Sequence, residues 1–159
     1  MGEAEEVAKH VIRIVKSFDP VEIRNDISIY IAMKEVKMLG LNSVITGDGG
    51  DELFAGYPFL FNLEPYEIDN WIKNIVKHWF FASKLLGESL GLKVFQPFLD
   101  EKIVKLALEI PAEFKVVDRN GTKYGKWILR EAFKNFLPTE VIWRSKYPIE
   151  AGSGSIKFK

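Results

Sequence analysis

Cysteine is missing from all 159 residues, which excludes disulfides, zinc–thiolate sites and a cysteine nucleophile together. Histidine is nearly as scarce. His10 and His78 each stand without a ligand-like companion, so they read as surface or boundary residues rather than as metal ligands. Net charge is absent too: 22 basic residues balance 22 acidic ones, which argues against a general nucleic-acid or anionic-membrane surface. No apolar run approaches the roughly 18 residues of a spanning helix. The opening MGEAEEVAKHV lacks the basic and apolar regions of a signal peptide. Repeats and low-complexity tracts are also missing. These absences predict a cytoplasmic globular chain that handles something small, with no nucleic-acid and no membrane partner. A hydrophobic content of 47% suffices for one core of ordinary size.

What is present is mostly helical periodicity. Val7, Val11, Ile14, Val15 and Phe18 recur at steps of three and four, which predicts an amphipathic helix over 3–18 with acids in its first turn. Asp19-Pro20 breaks it. Ile29, Ala32, Met33 and Val36 mark a second helix over about 25–39, capped by Gly40. Further helices are expected over 65–77, 82–90, 99–110 and 123–136. Trp71, Trp79, Phe80, Phe81, Trp127 and Phe133 fall at helical spacing and read as core. Between the last two helices, FKVVDRNGTKY places Asn120-Gly121 between short segments and is a candidate small hairpin.

One stretch is strand-like. Ser43-Val44-Ile45-Thr46 is short, β-branched and bounded by Asn42 and Gly47, so it reads as a short buried strand. No partner strand is evident. A buried strand left unpaired loses several hydrogen bonds at about 1–3 kcal/mol per stranded group, so strands are expected to come from outside these residues. The expected fold is mainly α with one short buried strand and the candidate hairpin. Residues 1–150 form the folded part, and 151–159, rich in Gly and Ser, a flexible tail.

The strand runs into VITGDGGDELFAGY (44–57), where glycines and carboxylates are crowded together. Glycines after a strand leave backbone N–H groups open to an anion, and a helix starting at DELFAGY adds partial positive charge. That suits phosphate. Carboxylates would repel phosphate unless a divalent cation lies between, so Asp48, Asp51 and Glu52 suggest Mg²⁺ bridging a polyphosphate. A surface turn with Asp48 as a helix cap explains the same composition, and no GxxxxGK[ST] or GxGxxG pattern is present to separate the two readings.

The stretch 44–57 resembles the second signature of the synthetase domain of the asparagine synthetase family, [LV]-SG-[ED]-G-x-DE-[LIV]-FGGY. Three more segments follow the family's order. EIRNDISIYIAMKEVKMLG (22–40) resembles the helix leading into that signature, GLKVFQPFLDEKIVKLALEIPAEFK (91–115) the PFLD segment, and TKYGKWILREAFKNFLPTEVIWRSKYPIEAGSGS (122–155) the lysine-bearing segment. The resemblance implies the C-terminal portion of an α/β adenine-nucleotide alpha-hydrolase-like (HUP) domain with ATP-pyrophosphatase chemistry. ATP and Mg²⁺ are the implied cofactors, and an aspartate-like carboxylate and ammonia or another amine the implied substrates. Thr46 and Gly47 would lie against the AMP portion. Asp51 would hold Mg²⁺ on the pyrophosphate, and Lys126 and Lys146 would neutralise phosphate charge. Asp48 matches the acidic position thought to act on the attacking amine. Arg130 is either a structural salt-bridge partner or a phosphate clamp.

The chain also departs from that family. The pyrophosphate loop Ser-Gly-Gly-x-Asp-Ser, upstream of the matched segment in family members, is absent, as is the cysteine nucleophile of the N-terminal glutaminase. Phe95-Gln96 stands where many members have an Arg before PFLD. The expectation is therefore half a nucleotide site, weakly active or inactive alone, which self-associates or uses a second chain for the upstream half. The alternatives are a non-catalytic interaction module and a ligase of a β-lactam-forming or peptide-cyclising branch.

Overall fold

Asp19-Pro20 begins a helix as well as ending one. The Asp19 carboxylate accepts hydrogen bonds from the N–H groups of Val21 (2.8 Å) and Glu22 (3.0 Å), and Pro20, whose missing N–H costs nothing in a first turn, opens the helix. In the structure, a computed structural model describing residues 3–155, α1 covers Glu3–Val15 and α2 covers Pro20–Met38. The expected start near Asn25 is corrected to Pro20. The chain divides into two compact units: Met1–Thr46 with Phe80–Phe95 and Tyr147–Lys159, and Gly47–Trp79 with Gln96–Lys146. No described helix is long and apolar enough to cross a membrane.

The first unit packs α1, α2 and α5 (Ser83–Ser89) around Val7, Val11, Ile27, Tyr30, Met33, Leu86 and Leu92. Phe18 and Ala32, expected on the core faces, are exposed. The strand β1 (Ser43–Ile45) pairs in parallel with β2 (Lys93–Phe95) in the register Ser43↔Lys93, Val44↔Val94, Ile45↔Phe95. The expected lone, buried strand is corrected on both counts. Its partner KVF is three residues long, too short to show alternation between Leu92 and the Gln96-Pro97 turn. Because side chains alternate across a strand, Val44 and Val94 face the core while Ile45 (76% exposed) and Phe95 (43% exposed) share the opposite, bare face. Of the stretch 151–159, residues 151–155 are described. α9 (Ile149–Gly152) forms a single turn, Ser28 Oγ donates to Ser153 Oγ at 2.9 Å, and Ser155 is buried; the rest lies outside the described residues.

The second unit holds α3 (Gly50–Leu53), α4 (Pro65–His78), α6 (Glu101–Glu109), α7 (Trp127–Phe133) and α8 (Thr139–Ile142). A capping box between Glu64 and Glu67, with Pro65 in the first turn, starts α4. Ile68 and Ile72 of α4 pack with Ala55, Leu60 and Ala112, and a second cluster joins Leu53, Phe54 and Ala107 to Trp79, Phe98, Ile128 and Leu129. The hairpin β3 (Val117–Arg119) and β4 (Thr122–Tyr124) is antiparallel, with positive φ at both Asn120 (56°) and Gly121 (79°), the combination a two-residue turn requires. This strand takes up residues expected to start the last helix, which begins at Trp127 instead. Of the aromatic residues expected in the core, Phe80 and Phe133 are exposed.

Candidate active site

The backbone of the second unit brings three segments of the sequence to one carboxylate. After Gly47 and Asp48, Gly49 takes a left-handed conformation (φ 85°), and a Cβ there would stand 2.6 Å from Leu99 Cδ2. One turn of helix, α3, then presents Asp51. The chain reverses at Ala55, whose φ is positive (53°), and the Gly56 N–H donates to the Asp51 carbonyl at 2.8 Å. Gly56 leaves room for this approach: an added Cβ would lie 1.9 Å from Asp51 Oδ1 and 2.5 Å from Lys126 Cε, so those side chains would have to shift.

Lys126 Nζ reaches Asp51 Oδ1 at 3.0 Å, and Lys146 Nζ donates to Asp51 Oδ2 at 2.8 Å. The Asp51 side chain is 17% exposed. Burial by itself would push its pKa up; the two ammonium groups outweigh that and hold it below the ordinary carboxylate value. Lys126 caps α7 from a left-handed conformation (φ 56°), with its N–H on the Phe54 carbonyl at 2.9 Å. The Lys146 ammonium also lies 5.6 Å from the centre of the Tyr57 ring. Tyr57 in turn donates its hydroxyl to Glu52 Oε1 at 2.5 Å. Burial, followed by the charges of Glu52 and Asp51, raises the Tyr57 pKa far above its usual range, so the phenol remains a donor.

The trio carries two positive charges against one negative, so it favours an anion. It also fits a cation shared with that anion. Asp51 Oδ1 is buried and, despite its ion-pair distance to Lys126, has no partner at hydrogen-bonding angles. Among the described residues no three His, Asp or Glu side chains gather to hold a metal by themselves. Mg²⁺ asks for less, typically one or two carboxylates with the remaining positions filled by phosphate oxygens and water.

Asp51, Lys126 and Lys146 are therefore brought together. Asp48 takes another partner, accepting from Gln96 Nε2 at 3.0 Å. Gly47 accepts the Gly50 N–H at 3.1 Å, and Thr46, in the first unit, donates its N–H to Phe95 O at 2.9 Å. The helix after the glycines is a single turn, so its dipole adds less positive charge than the sequence suggests. Sequence reasoning missed the Gln96 contact and the tight approach of Gly56. It also missed Lys115, which is 1% exposed with its ammonium 3.7 Å from Asp69 Oδ1. A lone cation inside the apolar stretch IPAEFKVV was the available signal.

The family described as Asparagine synthase matches residues 2–90 and 86–159. Asparagine synthetase [glutamine-hydrolyzing] 2 of Lotus japonicus is 31% identical over 154 residues, which cover 91% of this chain and 26% of that protein. The asparagine synthetase [glutamine-hydrolyzing] of Sandersonia aurantiaca is 30% identical over 153 residues, 91% of this chain and 29% of that one. The nodule enzyme of Pisum sativum is likewise 30% identical over 153 residues, with 91% and 26% covered. The chain thus spans about a quarter of the length of the curated relatives it matches. With a family match covering nearly its whole length, the chain belongs to the asparagine synthetase family.

Proposed function

We propose that this chain contributes the magnesium–pyrophosphate side of an ATP-dependent, amide-forming synthetase. The observation that carries the reading is the convergence of Lys126 and Lys146 on Asp51, from segments far apart in sequence. In such a synthetase a carboxylate oxygen attacks the α-phosphorus of ATP. The bond from that phosphorus to the bridging oxygen breaks, pyrophosphate leaves, and ammonia or an amine then displaces AMP from the acyl-adenylate. Negative charge builds on the departing pyrophosphate, and two ammonium groups already oriented in a partly dry site stabilise it without reorganisation. Mg²⁺ bound through Asp51 would supply further charge neutralisation on the same oxygens. When phosphates draw the lysines to themselves, the Asp51 carboxylate is released for the cation.

The remaining assignments extend this reading. Thr46 and Gly47 line the AMP portion. Asp48, oriented by Gln96, acts on the attacking amine or its tetrahedral intermediate, and the carboxylate is aspartate-like. The parallel pair β1–β2 supports a place within an α/β HUP-type sheet, and its bare face at Ile45 and Phe95 supports a second chain packing there. The Ser-Gly-Gly-x-Asp-Ser loop would come from polypeptide outside these 159 residues.

ATP–pyrophosphate exchange tests the proposal. With aspartate and Mg²⁺, the 159-residue chain alone is expected to exchange weakly or not at all, and to gain exchange when a polypeptide carrying the Ser-Gly-Gly-x-Asp-Ser half is added. Exchange restored only with a different carboxylate reassigns the substrate to another branch of the family. A complemented complex inert with every carboxylate tried would overturn the synthetase reading in favour of a non-catalytic interaction module.

A further inference from the structure

We infer that Arg130 is the positioning residue that holds Lys126 and Lys146 on Asp51. The inference rests on the functional reading above for the meaning of the two lysines, but its geometry stands independently. Lys126 and Lys146 belong to different segments, one on the turn after β4 and one in the irregular chain after α8. Ion pairs of this exposure are too weak to hold two long, flexible side chains in place on their own. Some fixed element has to set the distance between the two backbones.

The Arg130 side chain does so by hydrogen-bonding both. From α7, its Nε donates to the Gly125 carbonyl at 2.8 Å, the residue directly before Lys126. Its Nη1 donates to the Ile142 carbonyl at the end of α8 and, with Nη2, to the Arg144 carbonyl at 3.3 Å, two residues before Lys146. The Arg130 N–H also donates to the Lys126 carbonyl at 3.0 Å. The guanidinium lies 5.6 Å from the centre of the Tyr124 ring, which limits its swing. Burial lowers its pKa, with Tyr124 partly offsetting, yet a guanidinium stays cationic at any working pH. A planar fork with five donors can bridge carbonyls on two segments at once, and a lysine ammonium cannot reproduce that geometry.

This answers a question the sequence leaves open. With three backbone carbonyls on its donors, the Arg130 guanidinium works on the protein's own chain rather than on a phosphate.

Residue-resolved amine labelling with an acylating reagent, read by peptide mass spectrometry across pH, tests the inference without ATP or turnover. A null result therefore bears on Arg130 and leaves the synthetase reading to its own exchange assay. In the native chain, Lys126 and Lys146 should label slowly, the exposed Lys102 and Lys105 should label freely, and the buried Lys115 should not label, which makes it a sentinel for unfolding. In Arg130→Ala, Lys126 and Lys146 are expected to label about threefold faster or more, because they lose the Asp51 carboxylate. Lys102 and Lys105 should keep their rates and Lys115 stay protected. Arg130→Lys, which retains charge and stem but not the fork, should behave as the alanine variant does and decides the matter should Arg130→Ala expose Lys115. Native labelling of Lys126 and Lys146 in a variant that protects Lys115 overturns the inference. So does exposure of Lys115 in both variants, which would make Arg130 a residue of the fold at large.

Discussion

Asp51 stands between two ammonium groups with little room around it, and Gly56 is what leaves that room. The atoms that an added methyl would strike are the movable ends of Asp51 and Lys126, not backbone. Gly56→Ala should therefore keep thermal stability within about 1 kcal/mol of the native chain while separating Asp51 from Lys126 and weakening magnesium–pyrophosphate binding by roughly tenfold. Unfolding melts and a binding titration on the same sample check both halves. Loss of stability with unchanged binding would place the role of Gly56 in the core instead. Lys115 presents the opposite case, a buried cation. Burial lowers its pKa, and Asp69 only partly restores it. Between the folded value and the ordinary lysine value the unfolded chain binds more protons, so stability at this position rises with pH across that alkaline window. Lys115→Met should remove that rise. Urea unfolding at several alkaline pH values would show it; an unchanged slope would mean the ammonium is solvated or better paired than 3.7 Å allows.

At the scale of elements, some features could be read from the sequence and others could not, for identifiable reasons. α4 declares itself through Pro65 and the periodic Ile68 and Ile72, and the β3–β4 hairpin through Asn120-Gly121, because the backbone conformations these residues favour are local. β2 does not declare itself. Three residues carry no period, and the parallel pairing that makes KVF a strand depends on Ser43–Ile45, far away in the chain. The start of α2 was hidden because Pro20 both stops and starts helices, and only the Asp19 cap decides which. For the site, residue identities were legible from the resemblance, whereas the Gln96–Asp48 hydrogen bond and the Arg130 fork depend on tertiary approach. The bare face of β1–β2 has a consequence in solution. A parallel sheet is ordinarily covered on both faces, so the chain should self-associate or depend on a partner through Ile45 and Phe95. Sedimentation velocity should show association that grows with concentration and is reduced by Ile45→Lys combined with Phe95→Ser. A stable monomer at high concentration, indifferent to those substitutions, would speak against it.

Across the whole molecule, the residues of the candidate site that make direct contact, Asp51, Lys126 and Lys146, all lie in the second unit, where Arg130 and Gly56 also serve them. The first unit carries the parallel strands and Thr46. The phosphate chemistry can therefore be tested by binding alone, before any question of complete turnover. Isothermal titration calorimetry of the 159-residue chain with pyrophosphate alone, Mg²⁺ alone and both together is the most direct measurement. Pyrophosphate with Mg²⁺ should bind at least about tenfold more tightly than either alone, since the phosphates that take the lysines leave the carboxylate free for the cation. Asp51→Asn should abolish that cooperativity, and Lys146→Met should abolish binding. Pyrophosphate binding that is indifferent to Mg²⁺ and unchanged in Asp51→Asn would contradict the account.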